Sequence, residues 1–186
     1  KIGDSWGEGV VFVVGEVTDY DAETGMLTTD TEGVKAYKGR MIAAKKLGAV
    51  KWTMSGTQEG YKNLIGMSDS LDGDANLQKL EAFIASTGES VEDYPIYDAL
   101  QVLDGWNVPS ICEMFHILTN QEILNAAFVV KGGDPLDKRN ENYTSSTEYA
   151  FYVDGRETEV KSTCVVGQMT TGKNKVAPGD KAGFTV

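Results

Sequence analysis

The spacing of apolar and polar positions changes character twice along this chain. Residues 10–14, Val10-Val11-Phe12-Val13-Val14, form an apolar run rich in β-branched side chains and too short for a buried helix, which predicts a core strand. Tyr20-Asp21-Ala22-Glu23-Thr24-Gly25 then supplies turn chemistry, with Gly25 suited to positive φ, so residues 26–29 are expected to return as the partner strand. Over 40–51 the signals conflict: helix formers at 41–47 are interrupted by Gly48, and the extended look of Ala49-Val50-Lys51-Trp52 tips the balance to strand. Residues 53–74 hold Ser, Gly, Asp and Asn without periodicity, the pattern of a long surface loop.

From there the period becomes helical. Asp74 is the expected N-cap of a first helix with a stripe at Leu77, Leu80, Phe83 and Ile84 and Gly88 just past its end. A second places Pro95 at its first position behind Asp93, spaces Ile96, Ala99, Leu100 and Leu103 along one face, and is expected to run to Gly105. The third opens with a capping box, Ser110 to Glu113, and carries Ile111, Met114, Phe115 and Leu118. A second box at Thr119-Asn120-Gln121-Glu122 restarts it, with Ile123, Leu124, Ala127 and Phe128 expected to face the core until Gly132-Gly133. After residue 142 the period returns to that of strands, 149–153 and 157–161, joined by the hairpin dipeptide Asp154-Gly155. Residues 170–181 read as a loop, and 182–186 as a strand at a sheet edge. The expectation is an α+β fold, one domain over 1–186, with a small twisted antiparallel sheet and two to three helices.

Composition narrows the function classes. The 186 residues suffice for one well-buried core. With 28 acidic against 17 basic side chains the net charge is −11, which repels phosphate backbones and anionic membrane surfaces. No apolar run approaches the roughly 20 residues that span a bilayer. The chain starts at Lys1 with no signal-like segment, as expected of a mature form whose targeting signal has been removed. Cys112 and Cys164 are too few for a disulfide scaffold and lack zinc-site spacing; two buried thiols or one bridge both fit, and the apolar helix around Cys112 favours thiols.

The segment Asp104-Gly105-Trp106-Asn107-Val108-Pro109-Ser110-Ile111-Cys112-Glu113-Met114 resembles the Gly-Trp-x-Leu-Pro-Ser-x-x-Glu-Leu signature of the bacterial Lcl C-terminal and Fibrobacter major paralogous families, domains of unknown function. Gly132-Gly133 and Asn142-Tyr143-Thr144-Ser145-Ser146-Thr147-Glu148 resemble the Gly-Gly and Tyr-Trp-Ser-Ser-Thr-Glu of the same group, and Asp72-Gly73, Asn76 and Tyr94-Pro95 fall where it carries similar residues. Val108 stands in place of the usual Leu, and Thr144 in place of the usual Trp. The resemblance, over roughly residues 10–161, implies a C-type-lectin-like fold, shared with sulfatase-modifying enzymes and with phage and bacterial receptor-binding proteins. It also implies a secreted or lipid-anchored surface protein of the kind found in gut bacteria. The Glu-Pro-Asn, Gln-Pro-Asp and Trp-Asn-Asp triplets of calcium-dependent lectins are absent, so calcium-mediated sugar binding is not implied.

Individual residues offer little catalytic chemistry. His116, the sole histidine, lies within the third helix and reads as structural. Ser145, Ser146 and Thr147 lack a Gly-x-Ser-x-Gly context, and satisfying backbone groups is their expected role. Glu113 and Glu148 would serve as acid and base only at a suitable separation; capping and turn roles are favoured. Asp69, Asp72, Asp74 and Asn76 around Gly73 offer oxygen ligands for calcium or, as preferred here, an acidic loop capping the next helix. Of the three tryptophans, Trp106 is expected to pack under the third helix, and Trp52, beside the polar loop, to be the exposed aromatic. No catalytic residue, metal or cofactor is therefore assigned. The expected function is an extracellular or cell-surface binding or adhesion module for a glycan or protein ligand. The alternatives are an enzyme related to the sulfatase-modifying branch, or a structural subunit of a surface assembly.

Overall fold

The computed structural model describes residues 1–21, 23–24, 26–32, 38–54, 59–137, 141, 143–153, 156–170 and 173–179; over 61–62 and from 149 onward it is the backbone that is described. Among the described residues, mixed α and β elements are arranged as three small sheets and a set of helices. All described strand pairs are antiparallel.

The apolar run at the start is strand β2, Gly9–Val14, flanked by β1 (Ser5–Trp6) and β5 (Gly39–Ala43). A register shift against β5 between Val11 and Val13 interrupts the strict alternation of sides, and both Phe12 and Val13 are buried. The opening hairpin also exists, but its first arm is a different segment. β4 (Leu27–Asp30) pairs with β3 (Glu16–Tyr20), while the core strand takes β5 as its partner; Gly25 lies outside the described residues. The strand predicted over 40–51 is confined to β5, and the backbone beyond Ala43 is irregular save for a bridge at Val50.

Residues 53–74 are not wholly loop: α1 (Glu59–Lys62) interrupts them, and Ile65 and Met67 are buried. Helix α2 spans Gly73–Thr87, and its N-cap is Asp72 instead of Asp74, its carboxylate accepting from the Asp74 N–H at 2.9 Å. Gly88 ends it in the left-handed region, as its position suggested. A 3₁₀ turn, Val91–Asp93, leads into α3, Pro95–Leu100, which stops well short of Gly105 and leaves Leu103 exposed. The third helical stretch is two helices, α4 (Ile111–Thr119) and α5 (Gln121–Lys131), divided at Asn120. The Ser110–Glu113 capping box forms, but the second one does not: α5 starts after Asn120 with no side-chain cap, and the Asn120 amide donates back to the His116 carbonyl at 2.9 Å. Ile123, expected in the core, is exposed on the outer side of α5.

Gly132 caps α5 with φ 66°, and Gly133 is required by proximity, since a Cβ there would lie 2.1 Å from the Ala44 carbonyl oxygen. The last third is a β-meander of β6 (Tyr143–Val153), β7 (Arg156–Thr170) and β8 (Lys173–Gly179). The predicted loop at 170–181 is thus largely strand: Lys and Gly content argued against pairing, yet each residue from Lys173 to Gly179 has a partner on β7. Asn142, the Asp154-Gly155 turn and residues 182–186 lie outside the described residues.

Two apolar clusters result. One joins Val10, Phe12, Val13 and Leu27 to Phe115, Leu118, Leu124 and Phe128 between the first strands and α4–α5. The other gathers Trp52, Ile65, Met67, Leu80, Ile84, Tyr94 and Ile96 around α2 and α3. Trp52 is 3% exposed, so the aromatic expected at the surface is part of this second core.

Candidate functional site

The two segments that carry the family resemblance meet directly. Strand β6 advances from Thr144 to Glu148 while its partner moves only from Val166 to Cys164, so residues 145–147 leave the ladder. Their backbone groups bond elsewhere: Ser146 N–H donates to the Pro109 carbonyl at 2.8 Å, and Glu148 N–H to the Met67 carbonyl at 2.7 Å. The Thr147 hydroxyl accepts from Ile111 N–H at 2.9 Å and donates to the Asp69 carbonyl at 2.9 Å. Glu148 takes Ile65 N–H at 3.0 Å and Gly66 N–H at 2.8 Å on its two oxygens. The Trp52 indole donates to Thr144 Oγ1 at 3.0 Å.

The first turn of α4 is saturated by these contacts. Ile111 N–H is met by Thr147, Cys112 N–H by the Ser70 carbonyl at 3.1 Å, and Glu113 N–H by Ser110 Oγ at 3.4 Å. Each of these amides therefore has a protein acceptor. Glu113 in turn does more than close its capping box. One carboxylate oxygen accepts from Ser110 N–H at 2.8 Å and Gly73 N–H at 2.9 Å, and the other receives the Arg40 guanidinium. Arg40 also donates to the Leu71 carbonyl at 2.5 Å and lies 3.8 Å from Asp72. Gly73 is obligatory here, as a Cβ would stand 2.3 Å from the Val108 carbonyl oxygen and 2.6 Å from Asn107 Oδ1.

Residues 69–76 spend their oxygens on the same seam. Asp69 Oδ1 accepts from Leu71 and Asp72 N–H, both at 2.8 Å, which is an Asx turn. Buried Asn76 accepts from Asp69 N–H at 2.9 Å and donates to the Asp69 carbonyl at 2.7 Å and to Ser146 Oγ at 3.0 Å. The helix-capping role expected of this loop is the one its geometry displays. Among the described residues no group of three or more His, Cys, Asp or Glu side chains is placed to hold a metal ion.

The hydroxyls of Ser145, Ser146 and Thr147 are buried, and Glu113 and Glu148 are engaged with backbone amides. His116 is buried too, with Nδ1 accepting from the Leu27 N–H at 3.1 Å; desolvation pushes its pKa below the ordinary value of 6.5, and the Phe12 carbonyl acts weakly in the other direction. Cys112 is a free, buried thiol pushed up to about 11, chiefly by burial; the Cys164 side chain lies outside the description. Arg40, Trp52 and Asn76 complete the seam. Arg40 and Trp52 fall in stretches without periodicity, whereas Asn76 stands both in the oxygen-rich loop and among the resemblance residues.

The outer face of the first sheet offers the exposed aromatic surface. Trp6 sits opposite Gly9, and Met41 opposite Val11, so all four project to one side. The Cη2 end of Trp106 reaches within 3.2 Å of where a Gly9 Cβ would be, beside Met41. The edge of the Trp106 ring thus packs over β2. Trp6 is 66% exposed and Met41 43%. Among the described residues no helix is long and apolar enough to cross a membrane. Searches against family models, curated proteins and solved structures return no match for this chain.

Proposed function

We propose that this chain is a C-type-lectin-like binding module, secreted or held at a cell surface, whose ligand is a glycan or another protein. The observation that carries the reading is the interlock of its two resemblance segments, residues 104–114 and 143–148, through buried hydrogen bonds. The other short pieces of the resemblance have local structural reasons as well: Gly73 and Gly133 sit where a Cβ would collide with a carbonyl oxygen, and Tyr94 is fully buried in the second cluster. The polar side chains of the seam are occupied in holding backbone, which supports a scaffold role for them and leaves recognition to the surface. There the Trp6–Met41–Trp106 face supplies flat, polarizable apolar area of the kind that sugar rings and protein hot spots use.

A glycan array probed with the full chain, with and without calcium, tests the carbohydrate version. Binding to a defined class of glycan, lost in Trp6→Ala, is the expected result. An array at background in both conditions refutes carbohydrate recognition, and glycan binding untouched by Trp6→Ala refutes the assigned face.

A further inference from the structure

The β3–β4 hairpin is held to the body of the protein at few points. Every residue of β3 except Val17 is exposed, and in β4 only Leu27 is buried. Val17 packs against the first core cluster, and Leu27 belongs to it. The polar tie at the Leu27 anchor is its N–H, which donates to His116 Nδ1 at 3.1 Å across 89 residues of sequence.

That bond requires a neutral imidazole, with its proton on Nε2. Nε2 itself is buried without a hydrogen-bond partner among the described residues, and the ring lies near Phe12 at a centroid distance of 6.3 Å. Protonation would set an Nδ1–H against the Leu27 N–H, two donors face to face, and would bury a charge opposed by its surroundings save for the Phe12 carbonyl. We infer that His116 is an acid-operated latch: neutral, it holds the β3–β4 hairpin on α4; protonated, it lets the hairpin go while the two cores stay folded.

The groups around His116 do not stabilise its charged form enough to prevent this. β2 has no titratable side chain; β4 has only Asp30, and β3 only Glu16, Asp19 and Tyr20, all exposed. On α4, Glu113 is engaged with Arg40 and two amides, and the Cys112 thiol is neutral; on α5, Glu122 is exposed and Lys131 donates to the Gly7 carbonyl. Burial is the largest influence on His116 and lowers its pKa, the Phe12 carbonyl opposing it. The sign follows. Above 6.5, the value of the released imidazole, the latch has full strength; below it the released fraction rises up to tenfold per pH unit, levelling off beneath the lower pKa of the latched state.

The test is amide hydrogen exchange followed by NMR on the full chain between pH 7.5 and 5, corrected for intrinsic exchange rates. Expected is a fall in Leu27 protection as the pH drops below 6.5, at most tenfold per pH unit, with Leu118 and Leu124 protection unchanged. His116→Asn, whose Oδ1 replaces Nδ1 as a non-titrating acceptor, should make Leu27 protection independent of pH. Flat Leu27 protection in the unsubstituted protein overturns the latch. So does a fall shared by Leu118 and Leu124, or one that persists in His116→Asn. The unsubstituted protein decides the matter if that variant fails to fold.

Discussion

Replacing Glu113 by Ala should be among the most damaging single changes in this protein. The side chain is 6% exposed and serves three donors: the amides of Ser110 and Gly73, and the Arg40 guanidinium. Removing it strands two buried N–H groups at about 1–3 kcal/mol each. It also leaves Arg40 with only the more distant Asp72, 3.8 Å away, as its ionic partner, while its own side chain, 27% exposed, recovers part of its hydration. The loss therefore comes to about 3–5 kcal/mol, the range found when one partner of a buried pair is deleted. Urea titration followed by tryptophan fluorescence measures it as a fall in midpoint at constant slope. In heat the shift should be about 6–20 °C for a chain of this size. A double-mutant cycle with Arg40→Ala should return a coupling above about 0.5 kcal/mol, because the two share one network. A loss under about 1 kcal/mol for Glu113→Ala would refute the seam as a structural keystone.

Gly73→Ala should destabilise by about 3 kcal/mol, the upper end of overpacking, because a backbone carbonyl oxygen lies 2.3 Å from the new Cβ. Gly88→Ala, with open space but φ 71°, should lose only about 1–2 kcal/mol; equal thermal shifts for the two would refute the close approach at Gly73. Trp52→Phe keeps the ring in the second cluster but removes the donor to Thr144, so urea unfolding should report a loss of about 1–2 kcal/mol. Cys112, buried and with its thiol pushed up to about 11, is about 0.1% thiolate at pH 8. Iodoacetamide followed by peptide mass spectrometry should find it unmodified in the native protein and alkylated in denaturant; alkylation at the rate of a free cysteine without denaturant would refute its burial.

Features written in local chemistry were legible from the sequence. The apolar run at Val10, the Ser110–Glu113 box, the Gly88 and Gly132 helix ends and the hairpin flanking 154–155 all follow from a few adjacent residues, and all are present. What failed depended on which segments pair in the folded chain. β4 pairs with β3 because the core strand is taken by β5, a choice no short window contains. α5 takes Asn120 as its N-cap in place of the Thr119 of the predicted box, with no side-chain cap there. Residues 173–179 lack strand composition and are extended through pairing with a long neighbour. Within the seam the capping and resemblance residues were visible beforehand. Arg40, reached only through the folded chain, was not, and Trp52 was assigned to the wrong side of the surface.

The bulge in β6 also bears on how the chain is made. Its segment answers donors laid down much earlier: the Trp52 indole, the Ile65 and Gly66 amides and the amide of Ile111. A nascent chain that has left the ribosome only as far as residue 137 holds every helix of the described residues, yet those groups still lack the partners that β6 brings. Closure of the interior waits on the emergence of 143–148, so stalled or clipped products ending before Tyr143 should be prime clients for chaperones and proteases.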